Sequence, residues 1–126
     1  LEEMAGVLKR LKELGVGLAM DDFGTGHSSL TCLHKFPLDL LKIDRSFINS
    51  VGRKERHYGA ILHSVIELAH NLDMAVIAEG IENPSQLTLL QDLSCQYGQG
   101  YLFSSPVSGN NLQSLLARDY THYQAA

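Results

Sequence analysis

Two adjacent carboxylates, Asp21 and Asp22, close an apolar run in M-D-D-F-G-T-G-H (20–27), and a glycine-spaced loop follows them at once. Like charges held this close are costly unless a cation neutralises them. Hard oxygen donors of this kind suit Mg²⁺ or Mn²⁺, and one carboxylate can bridge two such ions about 3.5–4 Å apart. A two-metal site activates a water and stabilises the charge on phosphoryl oxygens during an in-line displacement. Comparable chemistry stands at three other points. Lys42 and Asp44 interrupt L-D-L-L-K-I-D (38–44), Glu79 follows M-A-V-I-A with Glu82 just beyond, and Gln99 opens Q-G-Y-L-F. At a metal site Lys42 would stabilise phosphoryl charge or orient the water, and Glu79 would serve as a further ligand or a base.

The elements that carry these residues alternate. Leu1, Met4, Leu8, Leu11 and Leu14 recur at helical spacing, with Gly15 as terminator. V-G-L-A-M (16–20) is a short continuous apolar run, the pattern of a strand buried on both faces, and it ends at the two aspartates. Ser28 to Leu33 predicts a short helix ended by Phe36-Pro37. The segments 38–44 and 74–78 read as second and third strands. Between them, 57–72 carries Ala60, Ile61, Ser64, Val65, Leu68, Ala69 and Leu72 at helical spacing. Asn83-Pro84 reads as an N-cap with a first-turn proline, opening a helix with Leu87, Leu90 and Leu93 inward. A last strand is expected near 98–103 and a closing helix near 110–117.

Four β/α repeats imply an α/β fold with a parallel sheet under helical cover. No G-x-G-x-x-G follows any strand, which weakens a dinucleotide fold. A complete (β/α)₈ barrel needs about 250 residues, whereas this chain has 126, so four units make half a barrel. In such architectures function gathers at the carboxyl ends of the strands, where Asp21, Asp22, Lys42, Asp44, Glu79 and Gln99 all stand. A single aspartate at a strand end is often only a helix cap. Four strands ending in polar chemistry point instead to a site.

Composition narrows the classes. Net charge is −4, with Lys and Arg scattered, so no basic stripe for a polymeric nucleic acid is legible. No apolar run approaches the ~20 residues of a membrane span, and no signal segment opens the chain. Cys32 and Cys95 match no metal or redox spacing and read as reduced thiols, which suits a cytoplasmic location. The six histidines share no H-x-x-x-H pair, so zinc is not expected; His27 alone, after the glycine loop, is a functional candidate. Gly24 and Gly26 permit positive φ in that loop, but it lacks the G-K-[ST] ending of a P-loop. Leu1 opens directly into a helical pattern without Met or N-cap, the expectation being a piece of a longer chain.

D-D-F-G-T-G-H-S-S-L (21–30), L-K-I-D-R-S-F (41–47), A-E-G-I-E (78–82) and Q-G-Y-L-F-S-S-P (99–106) together resemble, in order and spacing, the bacterial EAL-domain family of cyclic-di-GMP phosphodiesterases. The resemblance implies a TIM-like (β/α)₈ barrel and hydrolysis of cyclic di-GMP to linear pGpG with two Mg²⁺ or Mn²⁺ ions. By position, Asp21 resembles the aspartate bridging both metals and Asp22 the ligand of the second. Lys42 is similar to the lysine near the attacking water, Glu79 to the late glutamate serving the second metal or its water, and Gln99 to the glutamine beside them. Phe23, Gly24, Thr25 and Gly26 correspond to the family's loop implicated in metal binding and dimer contacts, and Glu82 to a candidate for substrate contact. The Glu-Ala-Leu motif and two further metal ligands are absent, so residues 1–126 resemble the C-terminal half of the domain. His27 and Ser105 also depart from the family pattern, standing where a tyrosine and an arginine or lysine are usual. The resemblance therefore implies that the segment alone is inactive or nearly so. It also implies that its exposed edges are covered by self-association or by the N-terminal half-barrel. The alternative is a degenerate, non-catalytic receptor for cyclic di-GMP or a protein-interaction domain.

Overall fold

The structure, a computed structural model, describes residues 2–24, 30–50 and 57–118. The element order is α1 (Glu2–Glu13), β1 (Ala19–Phe23), α2 (Leu30–Lys35), β2 (Leu40–Ile43), α3 (Arg45–Ser50), α4 (His57–Asn71), β3 (Ala75–Glu79), α5 (Pro84–Asp92), β4 (Tyr97–Gln99) and α6 (Gly109–Leu116). The four strands form one sheet in the order β1-β2-β3-β4, every neighbouring pair parallel. The β/α alternation therefore produces the parallel sheet it predicts.

The two faces of the sheet differ. Leu41 and Ile43 on β2 and Val76 and Ala78 on β3 are fully buried and form the core with Leu62, Ile66 and Ala69 of α4, Ile48 of α3 and Leu90 of α5. Side chains alternate along a strand, so the opposite row is Ala19, Asp21, Leu40, Lys42, Ala75, Ile77, Glu79, Tyr97 and Gln99. Its members range from half-buried to exposed. Helices cover one face; among the described residues nothing comparable covers the other.

Local chemistry sets the element ends. Gly15 takes φ 84° after α1, as a terminating glycine does. Asn83 accepts from the Gln86 N–H while Gln86 accepts from the Asn83 N–H, a reciprocal capping box that starts α5 with Pro84 in its first turn. Lys12 and the Leu18 N–H both bond the Asp39 carboxylate, tying α1 and the approach to β1 to the start of β2.

Three expectations are corrected. The fourth strand is Tyr97–Gln99 rather than 98–103, because Gly100 to Phe103 turn and the Leu102 N–H donates to the Ile81 carbonyl at 3.0 Å. Leu102 and Phe103 then pack against the core instead of extending the strand. Residues 45–50, not anticipated as a helix, form α3 because Asp44 caps it. On α4 the buried stripe is Leu62, Ile66 and Ala69, rotated from the expected face, so that Ile61 is exposed. The short helix begins, among the described residues, at Leu30; Ser28 and Ser29 lie outside them.

Candidate active site

A bulge explains the paired aspartates. Ala19 and Met20 of β1 face Leu40 and Leu41 of β2, but the next pairing is Phe23 with Ile43, so β1 carries one residue more than its partner. Asp22, at φ 55°, is the residue that absorbs the mismatch. Aspartate tolerates this left-handed region better than most residues do. Without the bulge, Asp22 would fall in the row buried beneath the helices. With it, Phe23 takes that buried place while Asp21 and Asp22 are both exposed.

Across the carboxyl ends, Lys42 joins its neighbours. Its ammonium lies 2.9 Å from Asp21 Oδ2 on β1 and 2.6 Å from Glu79 Oε1 on β3. Bonds to Glu79 first, and to Asp21 second, push the Lys42 pKa up, so it remains cationic across the physiological range. The Asp21 carboxyl is held below its ordinary range by the Lys42 hydrogen bond and by the N–H of Asp22, which donates to Asp21 Oδ1 at 2.8 Å. Two anions and one fixed cation thus occupy the ends of three adjacent strands. Lys42 can orient and stabilise negative charge there, but it cannot act as a base near neutral pH.

Glu79, Glu82 and Gln99 meet in a cleft of about 320 Å³ that Asp44, Arg45 and Tyr101 also line. Backbone packing holds this cleft. The Ile81 N–H donates to the Gln99 carbonyl at 3.0 Å, joining the loop after β3 to the end of β4. A Cβ at Gly100 would lie 2.1 Å from the Ile81 carbonyl oxygen, and one at Gly80, where φ is 72°, would lie 2.3 Å from Arg45 Cβ. Gly24, at φ 106°, rests against the Phe47 ring, which in turn packs edge-on against Tyr58.

The predicted residues therefore divide. Asp21, Lys42 and Glu79 are brought into direct contact; Gln99 and Glu82 share the adjacent cleft with Glu79; Asp22 is exposed beyond the bulge. Thr25, Gly26 and His27 lie outside the described residues. Asp44 is a helix cap, its Oδ1 accepting from both the N–H and the hydroxyl of Ser46. Arg45 and Tyr101 were not anticipated, since neither is charged-pair chemistry at a strand end. The donors Asp21, Asp22 and Glu79 are hard oxygens, fitting Mg²⁺ or Mn²⁺ in kind. In number they fall short: among the described residues no three His, Cys, Asp or Glu side chains are grouped to hold an ion.

Residues 1–106 match the EAL domain family. The chain belongs to that family. It is 45% identical over 116 residues to the cyclic di-GMP phosphodiesterase NbdA of Pseudomonas aeruginosa, spanning 92% of this chain and 15% of that protein. The crystal structure of the EAL domain of Mycobacterium smegmatis DcpA superposes with a TM-score of 0.85 at 40% identity, covering 92% of this chain and 52% of that one. A manganese and cyclic di-GMP complex of Klebsiella pneumoniae BlrP1 superposes at 0.70 with 36% identity, covering 80% and 26%. The chain thus spans about half of the DcpA EAL domain and a smaller share of the other relatives. Its four parallel strands and their helices are those of a TIM-barrel family, in partial form.

Proposed function

We propose that this EAL segment is the C-terminal half-barrel of a metal-dependent phosphodiesterase domain that hydrolyses cyclic di-GMP to linear pGpG. The observation that carries the reading is the Lys42 ammonium held between Asp21 and Glu79 at three adjacent strand ends. Such an arrangement fits the recognition of an anionic phosphodiester beside cations. Asp21 and Asp22 would contribute carboxylates to two Mg²⁺ or Mn²⁺ ions, with Glu79 as a further ligand or the group that orients water. Bound ions would supply an activated water and neutralise phosphoryl charge. Lys42, always protonated, adds a fixed positive charge beside the scissile group. Gln99 and Glu82, which border the cleft next to Glu79, would contact the water and the substrate. The missing donors would come from the N-terminal half of the domain, in a cytoplasmic protein.

On this reading residues 1–126 alone turn over little or no cyclic di-GMP. The deficit of grouped donors also favours a second reading, a non-catalytic receptor for cyclic di-GMP. Turnover of cyclic di-GMP by the full-length protein, with and without Mn²⁺, separates them. Metal-dependent formation of pGpG supports the enzyme; binding without turnover supports the receptor.

A further inference from the structure

Gln86 is the one polar side chain buried in the core among the described residues, 9% exposed. Its Oε1 accepts from two backbone N–H groups, Glu82 at 2.8 Å and Asn83 at 3.2 Å, while its Nε2 donates to Asn49 Oδ1 on α3 at 3.0 Å. The two N–H donors fix which end of the amide faces which partner, since an N–H cannot donate to an NH₂ donor. A capping box requires only the Asn83 half of this arrangement. The bonds to Glu82 and Asn49 go beyond helix capping: they fasten the loop after β3 to a helix 37 residues earlier in the chain. That loop carries Glu82 to the edge of the cleft and, through Ile81, is bonded to the end of β4.

We propose that Gln86, anchored by Asn49, is a positioning residue that sets Glu82 and the 80–83 loop over the cleft and so governs how tightly cyclic di-GMP is held. The inference rests on the phosphodiesterase reading. Lys42 pairs with Ile77 and Glu79 with Gln99 in the sheet, and Asp21 lies between the paired Met20 and Phe23, so the strand ends are held without the bridge and the chemical step should not depend on it. Asn49→Ala cuts the anchor and leaves the capping box intact. Gln86→Leu removes both. Gln86→Glu keeps an oxygen facing the two N–H groups, and the Asn49 amide can turn its NH₂ toward the new carboxylate.

The test is steady-state kinetics of these three variants in the full-length protein, with thermal unfolding measured alongside. Asn49→Ala and Gln86→Leu should raise KM about tenfold with kcat within about twofold, and Gln86→Glu should restore KM. A wild-type KM in well-folded Asn49→Ala overturns the proposal and would mark Gln86 as a helix cap only; a fall in kcat alone overturns it as well, because the bridge would then act on the chemical step and not on binding. If the unsubstituted full-length protein shows no turnover, the phosphodiesterase reading fails separately. Amide exchange then decides the bridge: faster exchange at Glu82 and Asn83 in Asn49→Ala supports it, and unchanged protection overturns it.

Discussion

Glu79 on β3 meets Lys42 on β2 at 2.6 Å, and the same ammonium reaches back to Asp21 on β1 at 2.9 Å. One side chain therefore connects the three strand ends at which the chemistry is proposed to occur. Its protonation is secured by both carboxylates, so its contribution is charge rather than proton transfer.

Lys42→Met in the full-length protein should accordingly lower kcat by about 10²–10³-fold, the usual cost of losing one transition-state charge donor. The Asp21 carboxylate is more than half exposed, so water replaces much of what the pair loses, and stability should fall by only about 1 kcal/mol or less. Lys42→Arg keeps the charge, but a planar guanidinium cannot fill the place of a compact ammonium between two carboxylates, and recovery should be partial at best. Near-wild-type turnover in Lys42→Met would remove Lys42 from the chemistry.

Asp22 has a backbone role and a chemical role that substitution can separate. Asparagine tolerates positive φ as aspartate does, and glycine does so freely. Asp22→Asn and Asp22→Gly should therefore keep the melting temperature of the parent while losing metal-dependent turnover. Asp22→Val, with a β-branched side chain at φ 55°, should lose stability as well, by about 1–3 kcal/mol. Equal melting temperatures for all three would show that the bulge does not need a residue tolerant of that region.

Two glycines around the cleft should resist even alanine. At Gly100 the new Cβ would meet the backbone of Ile81, with the carbonyl oxygen at 2.1 Å and the nitrogen at 2.3 Å, neither of which can rotate away. At Gly80 the obstacle is the Arg45 side-chain root, and positive φ adds strain. Gly100→Ala should therefore displace the bond from Ile81 to Gln99 and lower both the melting temperature and turnover. Gly6→Ala, with open space around its Cβ and helical backbone, should instead hold or raise stability by a few tenths to about 1 kcal/mol. A Gly100→Ala protein as stable as Gly6→Ala would contradict the packing described.

How much of this was legible in the sequence depended on the range of the interaction. The apolar run before Glu79 identifies β3, but of 16–20 only Ala19 and Met20 lie in β1, which runs on through the aspartates to Phe23; the continuous apolar signature implied burial on both faces, whereas helices cover one face only among the described residues. Asn83-Pro84 identifies a helix start because capping is local. Asp44 is a helix cap, and in the sequence an aspartate two residues before Ser46 looks the same whether it caps a helix or serves a site. The sequence overextends the fourth strand because Tyr101, Leu102 and Phe103 suit a strand locally, and only contact with the Ile81 backbone, about twenty positions earlier, turns them aside. The Asp22 bulge was hidden for a similar reason: register is a relation between two strands. Gln86 was visible as the third residue after an N-cap, yet its link to Asn49 is tertiary and leaves no periodic trace.

Acid should weaken the tie between α1 and β2. The Asp39 carboxyl is held below its ordinary value by its bond to Lys12, then by the Leu18 N–H. Because the folded state lowers this pKa, the stabilisation is fully present above the unfolded value of about 3.9 and is lost as pH falls through the lower folded value. Asp39→Asn should thus destabilise the chain at pH 7, and the difference from the parent should shrink in strong acid. Urea unfolding at neutral and strongly acidic pH checks this; a difference that stays constant would mean the charge on Asp39 contributes nothing.

The last expectation concerns the surface that the described fold leaves open. β1 and β4 are the outer strands of the sheet, and unpaired strand edges readily recruit another chain. The open row includes Leu40 and Ile77, with Tyr97 at 58% exposure, below the charged strand ends. Met4 on α1 and Leu14 just after it are 55% and 78% exposed. A two-fold axis along the strands would let β1 of one copy lie beside β4 of the other at both seams, closing the open rows against each other. Residues 1–126 in isolation should therefore sediment as a dimer or larger species at micromolar concentration. Ile77→Glu, placing a charge in the open row, should dissociate it, whereas Ile61→Glu on the exposed side of α4 should not. A well-folded monomer at that concentration would defeat the idea, and dissociation by Ile61→Glu alone would move the contact from the sheet to the helices.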